Sequence, residues 1–313
     1  MAVRCGGATG QADAARGRAP SLVRERSASA SHQRRISAGL QQFGWAVGSN
    51  VQIEYRWSAG NEDDTRKYAL ELVALAPDVI FASGSDAVGI LQRTTHTVPI
   101  VFALVADPVG AGFVDSLARP GGNITGLTSY EYGLGAKWLE VLKQIAPNVT
   151  RVAVVRDPAS PAGIGLWGAI LSVSPSFGVE LRPVNVRDAG EIERALTAFA
   201  GSPNGGLIVT GSAQAVLHRD LIIALAARHR LPAIYYDRYY AAAGGLISYG
   251  SNTVEEVRLA AGYVGRILKG EKPADLPVQA PTKYELVINL KAAKAIGLEI
   301  PSSLLTTADE VIE

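Results

Sequence analysis

The sequence contains two stretches of the same kind, "DVIFASGSDAV" at residues 78–88 and "LIVTGSAQAV" at residues 207–216. In each, an apolar run of strand length is followed by a hydroxyl residue, a glycine and a serine, and small apolar residues then resume. This order predicts a buried strand, a tight turn and the start of a helix. Because single helices separate successive strands, we predict βαβ units and parallel sheets.

The two stretches belong to an internal repeat, which indicates two copies of one α/β lobe. Four landmarks recur in the same order at offsets of 123 to 133 residues. Each match alone is weak, and their shared order carries the inference. The matched landmarks are Gly84 and Gly211, Pro99 and Pro232, Gly121 and Gly244, and Leu142-Lys143 and Leu268-Lys269.

The repeat also predicts a strand that the sequence does not supply. The apolar strand at 151–156 opens the second copy, so the first copy should open near residues 25–30, where "ERSASA" stands. Either the first lobe lacks its first strand or another segment fills that place. The surrounding residues 1–35 hold seven Arg against Asp13 and Glu25 and have no apolar core of a secretory signal, which indicates disorder.

Composition excludes several classes of protein. The chain has 313 residues, of which 48% are hydrophobic, so one large domain or two lobes can bury a core. The formal net charge of +1 argues against a general nucleic-acid binder, and no apolar run is long enough to predict a membrane span. A single cysteine, Cys5, excludes an intramolecular disulfide and a multi-cysteine metal site.

Polar residues stand where the predicted parallel strands end, which is where open α/β sheets bind ligands. Ser83-Gly84-Ser85-Asp86 and Thr210-Gly211-Ser212 offer hydroxyls and free backbone N–H groups to an anion such as an amino-acid carboxylate. The alternative is that Ser85 or Asp86 only caps the helix. We interpret both loops as candidate ligand contacts.

Three carboxylates and a set of aromatic side chains lie near the same strand ends. Asp107-Pro108, Asp157-Pro158 and Asp237 could hold an ammonium or hydroxyl group, although Asp-Pro also commonly starts turns. Aromatic rings could stack on a planar ligand, although packing at a lobe interface is the more ordinary use. They are Tyr55, Trp57, Tyr130, Tyr132, Tyr235, Tyr236, Tyr239, Tyr240 and Tyr249.

Motifs of catalysis and of cofactor binding are absent from the sequence. It has no GxxxxGK followed by Ser or Thr, no GxGxxG directly at the end of a strand and no GxSxG elbow. The four histidines fit no metal or catalytic-triad spacing. We therefore predict a protein that is not an enzyme and that uses no metal and no cofactor.

Several longer segments resemble one family, the substrate-binding proteins of ABC transporters, and within it a branch described as tryptophan- or aromatic-amino-acid-binding. The resemblance runs from about residue 36 to the end. The segments are "YRWSAG" at 55–60, "DPVGAGFVDSLARPGGNITGL" at 107–127 and "PTKYELVINLKAAKAIGLEIPSSLLTTADEVIE" at 281–313.

The resemblance implies a type I periplasmic-binding-protein fold, with two doubly wound parallel-sheet lobes joined by a three-segment hinge and a small ligand held between them. It implies lobe 1 at 31–128 plus 251–278 and lobe 2 at 129–250 plus 279–313, after a disordered or aberrant segment 1–30. On this reading the first strand of lobe 1 is missing. By loop position, the ligand contacts are Ser83, Gly84, Ser85, Asp86, Asp107, Pro108, Ser212 and Asp237, to which Asp157 is added from its strand-end position.

The resemblance further implies a monomer that delivers a small molecule, an amino acid or related carboxylate, to a membrane permease. Its place would be the periplasm. A ligand-sensing regulator is the alternative function, because repressors use a similar two-lobed core, but residues 1–35 show no helix-turn-helix. An enzyme on an α/β scaffold is a third possibility, for which no site stands out.

Overall fold

The computed structural model describes residues 2–4 and 33–313 and divides the chain into two compact units. Unit 1 comprises Met1–Leu104, Gly112–Thr128 and Thr253–Gln279, and unit 2 comprises Val105–Ala111, Ser129–Asn252 and Ala280–Glu313. The sequence placed residues 105–111 in lobe 1, whereas the structure groups them with unit 2. The described residues contain no helix that is both long and apolar enough to cross a membrane.

Unit 1 is built on a five-stranded sheet with the order β2-β1-β3-β4-β5. Its strands are β1 (Ala2–Arg4), β2 (Gln52–Glu54), β3 (Val79–Ser83), β4 (Ile100–Ala106) and β5 (Ile124–Tyr130). Its helices are α1 (33–42), α2 (Glu62–Ala74), α3 (Ser85–Thr94) and, later in the chain, α10 (Thr253–Leu268), which a short 3₁₀ turn at Pro273–Asp275 follows.

The place of the first strand in this sheet is filled by Ala2–Arg4. The strand runs antiparallel to both neighbours, with Ala2 opposite Glu54 of β2 and Ile80 of β3. Of the two alternatives drawn from the repeat, another segment thus fills the place of the missing strand. The predicted position of that strand, residues 25–30, lies outside the described residues, as does most of the segment expected to be disordered.

The core of unit 1 lies between one face of this sheet and two helices. Val79 and Phe81 of β3 and Val101 of β4 are almost fully buried against apolar residues of α1 and α10, such as Leu40 and Val264. These strand positions alternate along the chain, so they share one face of the sheet. A continuous apolar run such as 79–82, rather than an alternating one, is typical of a strand buried on both faces.

Unit 2 is built on a seven-stranded sheet with the order β12-β11-β10-β9-β8-β6-β7. Its strands are β6 (Arg151–Arg156), β7 (Glu180–Asn185), β8 (Gly205–Val209), β9 (Ala233–Tyr235), β10 (Ile247–Gly250), β11 (Glu285–Asn289) and β12 (Glu310–Ile312). Its helices are α4 (Leu134–Ile145), α5 (Pro161–Val173), α6 (Ala189–Ala200), α7 (Ala213–Leu217), α8 (Arg219–Arg228), α9 (Arg238–Ala242), α11 (Leu290–Ile296) and α12 (Ser302–Thr307), and a 3₁₀ turn spans Ser174–Phe177.

Successive residues of the strands in unit 2 face two different cores. Val152 and Val154 of β6 pack in a cluster with residues of α4 and α5, while Ala153 and Val155 pack in a second cluster with residues of α6 and α8. Helices therefore cover both faces of a mostly parallel sheet. This confirms the predicted doubly wound α/β fold.

The strand orders support the predicted repeat. The two sheets can be aligned strand by strand, with β2-β1-β3-β4-β5 of unit 1 matching β7-β6-β8-β9-β10 of unit 2. In this alignment Gly84 follows β3, and Gly211 follows the matching strand β8. The units differ at β1, which is antiparallel to both of its neighbours, whereas the matching strand β6 is parallel to both of its neighbours. Unit 2 also carries the additional strands β11 and β12.

Candidate functional site

The loops after β2 and β3 lie at the same edge of the sheet in unit 1. Because β1 is antiparallel to both β2 and β3, these two strands run in the same direction, and β4 runs parallel to β3. The carboxyl-end edge of this sheet therefore collects the aromatic loop 55–60 and the polar loop 83–86. We call it the unit 1 edge.

The polar loop of the unit 1 edge turns at a glycine and leaves the following helix without a side-chain cap. Gly84 has φ +88° and ψ 153°, where a β-carbon is strained, and its N–H donates to the Ala103 carbonyl at 3.0 Å. It is also the N-cap of α3, so the alternative prediction that Ser85 or Asp86 caps this helix is wrong. Ser83 is exposed, Asp86 is partly buried and Ser85 is buried.

The aromatic loop holds two parallel rings. The Tyr55 and Trp57 ring centroids are 6.2 Å apart with an interplanar angle of 6°. Arg56 between them donates from Nε to Glu71 on α2 at 2.8 Å. Burial raises the pKa of Tyr55, against a smaller lowering by its hydrogen bond with Ser37. Trp57 remains 43% exposed.

The carboxyl-end edge of the sheet in unit 2 is more closed. Here Ser212 is the N-cap of α7, and its hydroxyl accepts the Ala215 N–H at 3.1 Å. A β-carbon on Gly211 would come within 2.7 Å of the Tyr130 hydroxyl and 3.1 Å of the Tyr236 ring. Side chains of unit 2 thus pack directly against the loop that corresponds to 83–86.

Three tyrosines from the aromatic set that the sequence places near the strand ends pack against one another beside this loop. The Tyr236 and Tyr239 hydroxyls are hydrogen-bonded to each other, and Tyr239 stacks on Tyr240 with centroids 5.0 Å apart. Burial is the main cause that raises the pKa of all three phenols well above the ordinary value. Burial, with a smaller contribution from Asp107, also raises the pKa of Tyr132 to about 12.

The three predicted carboxylates all accept hydrogen bonds from nearby backbone. Asp237 is fully buried and accepts the Tyr239 N–H at 3.0 Å as the cap of α9. Asp107, at φ +40°, accepts the Gly110 N–H at 2.7 Å, and the adjoining Pro108 is buried. The bond of Asp107 is the turn chemistry of the alternative, whereas Asp237 caps a helix, and a ligand role for both residues stays a prediction.

Asp157 has a partner that the sequence did not reveal. Its buried carboxylate accepts the Ala159 N–H at 3.0 Å and the Arg187 Nε–H at 2.9 Å. Arg187 follows β7, the strand adjacent to β6, so strand pairing brings the two together across 30 positions of sequence. The only sequence signal that could have pointed to this pair is a basic residue shortly after the end of the neighbouring strand, two positions beyond β7.

The described part of the chain holds no cluster of three or more His, Cys, Asp or Glu side chains placed to bind a metal ion. A cavity of about 590 Å³ lies within unit 1, away from the predicted ligand loops. It opens between the end of α3 and the segment before β5, and its lining includes Arg93, His96 and Phe113.

Three known proteins resemble this chain over most of its length. A Tyrosine-binding protein of Clostridioides difficile (strain R20291) is 24% identical over 83% of this chain and 74% of its own length. The crystal structure of a conserved domain protein from Vibrio cholerae O1 biovar El Tor str. N16961 superposes with a TM-score of 0.84 at 27% identity, covering 91% of this chain and 95% of that one. An ABC domain in complex with L-Trp from Streptococcus pneumonia gives a TM-score of 0.80 at 23% identity, over 90% and 96% of the two chains.

The family model described as ABC transporter substrate binding protein matches residues 23–312. Members of this family bind a small molecule and work with a membrane permease, and they typically act outside the cytoplasm. They are not enzymes, which confirms the prediction from the missing catalytic motifs and favours solute binding over the regulator alternative. The match spans nearly the whole chain, so this protein belongs to the ABC transporter substrate binding protein family.

Proposed function

We propose that this protein is the solute-binding component of an ABC importer and that its ligand is an aromatic amino acid. The observation that carries the ligand class is the unit 1 edge, where an uncapped helix start and the exposed Ser83 share a sheet edge with two parallel aromatic rings. Such an edge offers separate groups for the carboxylate and for the ring of an amino acid. The relative from Clostridioides difficile is named a Tyrosine-binding protein, and the ABC domain from Streptococcus pneumonia was crystallised with L-Trp. Both support an aromatic amino acid as the ligand.

The start of α3 suits the ligand's α-carboxylate. The first N–H groups of a helix point out of its N-terminus, and the helix dipole adds a partial positive charge there. With glycine as the cap, no side chain from that position competes for these donors. Hydroxyls of Ser83 and Ser85 supply additional donors, and the partly buried Asp86 in the first turn offers a carboxylate to the ligand's ammonium group.

We rank the remaining candidates after Ser83, Gly84 and Ser85 because their polar groups already serve the fold. Ser212 and Asp237 cap helices, Asp107 closes a turn, and Asp157 is paired with Arg187. A ligand contact from Pro108 is limited to its apolar ring. These residues stay secondary candidates, whose substitution should affect folding stability as much as binding.

The proposal is tested with the full 313-residue chain, a panel of the twenty L-amino acids and a thermal-shift readout, followed by calorimetric titration of every responder. A ligand that binds only the native state stabilises it by about 2.7 kcal/mol at one hundred times its Kd. We expect L-tyrosine and L-tryptophan to raise the Tm by several degrees and glycine or L-glutamate to leave it unchanged. Stabilisation by a sugar or an aliphatic amino acid, with none by aromatic ones, would contradict the ligand class.

The transport role requires export and a partner. We propose that the protein acts outside the cytoplasmic membrane, as a monomer, and passes its ligand to a membrane permease. Cell fractionation with antibodies against the chain tests the first part, and uptake of labelled L-tyrosine by cells with and without the gene tests the second. If cells with and without the gene take up L-tyrosine equally, although the former produce a protein that binds it, the transport role is wrong and the ligand class stands.

A further inference from the structure

We propose that Tyr55 and Trp57 form an aromatic platform that binds the planar ring of the ligand and makes this protein prefer aromatic over aliphatic amino acids. The proposal rests on the proposed function and deepens it, since it assigns the ring-binding group. The platform is the pair of parallel rings, 6.2 Å apart, in the loop that follows β2.

The position of the platform follows from strand order. β2 and β3 run in the same direction with β1 between them, so the platform and the loop 83–86 lie two strand spacings apart at one edge. Two spacings correspond to about 10 Å. That separation is of the same order as the length of tyrosine or tryptophan from carboxylate to ring end, so one ligand can reach both.

The loop that carries the platform is held in place before any ligand arrives. Arg56 is tied to Glu71 at 2.8 Å and to Glu54 at 3.5 Å, and Tyr55 is hydrogen-bonded with Ser37. The loop then turns through positive φ at Ala59 (+49°) and Gly60 (+79°) into α2. A binding surface that is already ordered loses less conformational entropy on association than a mobile one.

Exposure distinguishes Trp57 from the other tryptophans of the chain. Trp138 is fully buried, and Trp45 donates its indole N–H to the Gly265 carbonyl at 3.3 Å and so supports the packing of unit 1. Trp57 is 43% exposed and is the only one of the four tryptophans among the exposed large apolar residues. Covering a fixed, exposed aromatic face with another ring is favourable through both burial and stacking.

The experiment compares three variants of the full chain by calorimetric titration with L-tryptophan, L-tyrosine and L-leucine. Trp57→Ala should weaken binding of both aromatic ligands about tenfold or more, as loss of a buried aromatic contact does. Trp57→Phe, which keeps a flat ring, should stay within a few-fold of wild type. Leu70→Ala removes an even more accessible apolar side chain, 63% exposed on α2 in the same unit, and should leave every Kd unchanged.

Fluorescence supplies an independent readout. L-tyrosine binding should protect wild-type tryptophan emission from acrylamide quenching, because Trp57 is the exposed indole, and Trp57→Phe should lose that protection while still binding. If wild type binds aromatic amino acids and Trp57→Ala keeps both their Kd and the ratio to L-leucine, the platform is overturned and the proposed function stands. If wild type binds no aromatic amino acid, both proposals fail together.

Discussion

Two loops of similar sequence lie at the ends of corresponding strands in the two units, yet their serines have different roles. The loops are Ser83-Gly84-Ser85 in unit 1 and Thr210-Gly211-Ser212 in unit 2. In unit 2 the final serine caps the next helix through its side chain. In unit 1 the glycine itself is the cap, and the serine one position later lies inside the helix. The helix begins one residue later in unit 2 than in unit 1, and this difference decides whether the hydroxyl of the final serine forms a capping hydrogen bond.

The surroundings of the two glycines explain the difference. The space where a β-carbon of Gly84 would lie is open, whereas that of Gly211 is bordered by the Tyr130 hydroxyl and the Tyr236 ring. Gly84 is required by its positive φ, and Gly211 by the close approach of side chains. A similar sequence therefore gives an open, uncapped edge in one unit and a closed, capped edge in the other.

Alkaline pH should affect the closed edge most strongly. Burial raises the folded-state pKa of Tyr132 to about 12 and those of Tyr236, Tyr239 and Tyr240 well above the ordinary value of 10.0. A raised pKa means that this stability is fully present below pH 10 and is lost as pH rises from there through the folded values. The loss of stability steepens as more of these phenols must ionise on unfolding.

The measurement is the urea midpoint between pH 8 and pH 11.5, with hydrogen exchange to separate the units. Peptides of β9 and α9 should lose protection before those of β3 and α3. Removing both linked hydroxyls with Tyr236→Phe and Tyr239→Phe should flatten the pH dependence above pH 10. An unchanged slope in that double variant would show that these phenols do not carry the alkaline transition.

Close backbone packing beside the closed edge gives the next largest effect. A β-carbon on Gly250, at the end of β10, would lie 1.9 Å from the Tyr236 carbonyl, so Gly250→Ala must shift backbone. We expect a loss of about 1–3 kcal/mol in the free energy of unfolding, read from denaturant titration.

Gly168→Ala is the matched control for this substitution. It lies within α5 with nothing inside 4 Å, and it should stabilise the protein by up to about 1 kcal/mol. If the two substitutions had equal effects, the packing described around Tyr236 would be wrong.

Sequence patterns predict these elements best where local signals agree. Apolar spacing in the sequence predicts a strand at 151–156 and helices at 161–173, 189–200 and 213–229. The first three have the bounds of β6, α5 and α6, because the apolar runs there are flanked by Pro161 and by the capping Asp188. By contrast, the expected helix 213–229 is divided at His218 into α7 and α8. The divided helix has no local breaker such as Gly or Pro, so its break was not predictable.

The features that the sequence could not predict are those that depend on distant partners. Ala2–Arg4 forms a strand because β2 and β3 leave a place between them, and three residues carry no strand pattern of their own. The Asp157–Arg187 pair likewise depends on strand pairing. The edge loops were identified as candidate sites from their residues, but which of them is capped depends on where the helix begins.

The serines of the two loops allow the most direct test of their different uses, with the smallest expected effect. Ser212→Ala removes the hydroxyl that accepts the Ala215 N–H, and loss of such a cap costs about 1 kcal/mol of stability. Ser85→Ala removes no cap, so its unfolding midpoint should stay near that of wild type. In calorimetric titration with L-tyrosine the order should reverse, with Ser85→Ala weakening binding more than Ser212→Ala. Equal losses of stability in the two variants would mean that both serines stabilise the fold to the same extent. The unit 1 edge would then no longer be supported as the carboxylate site.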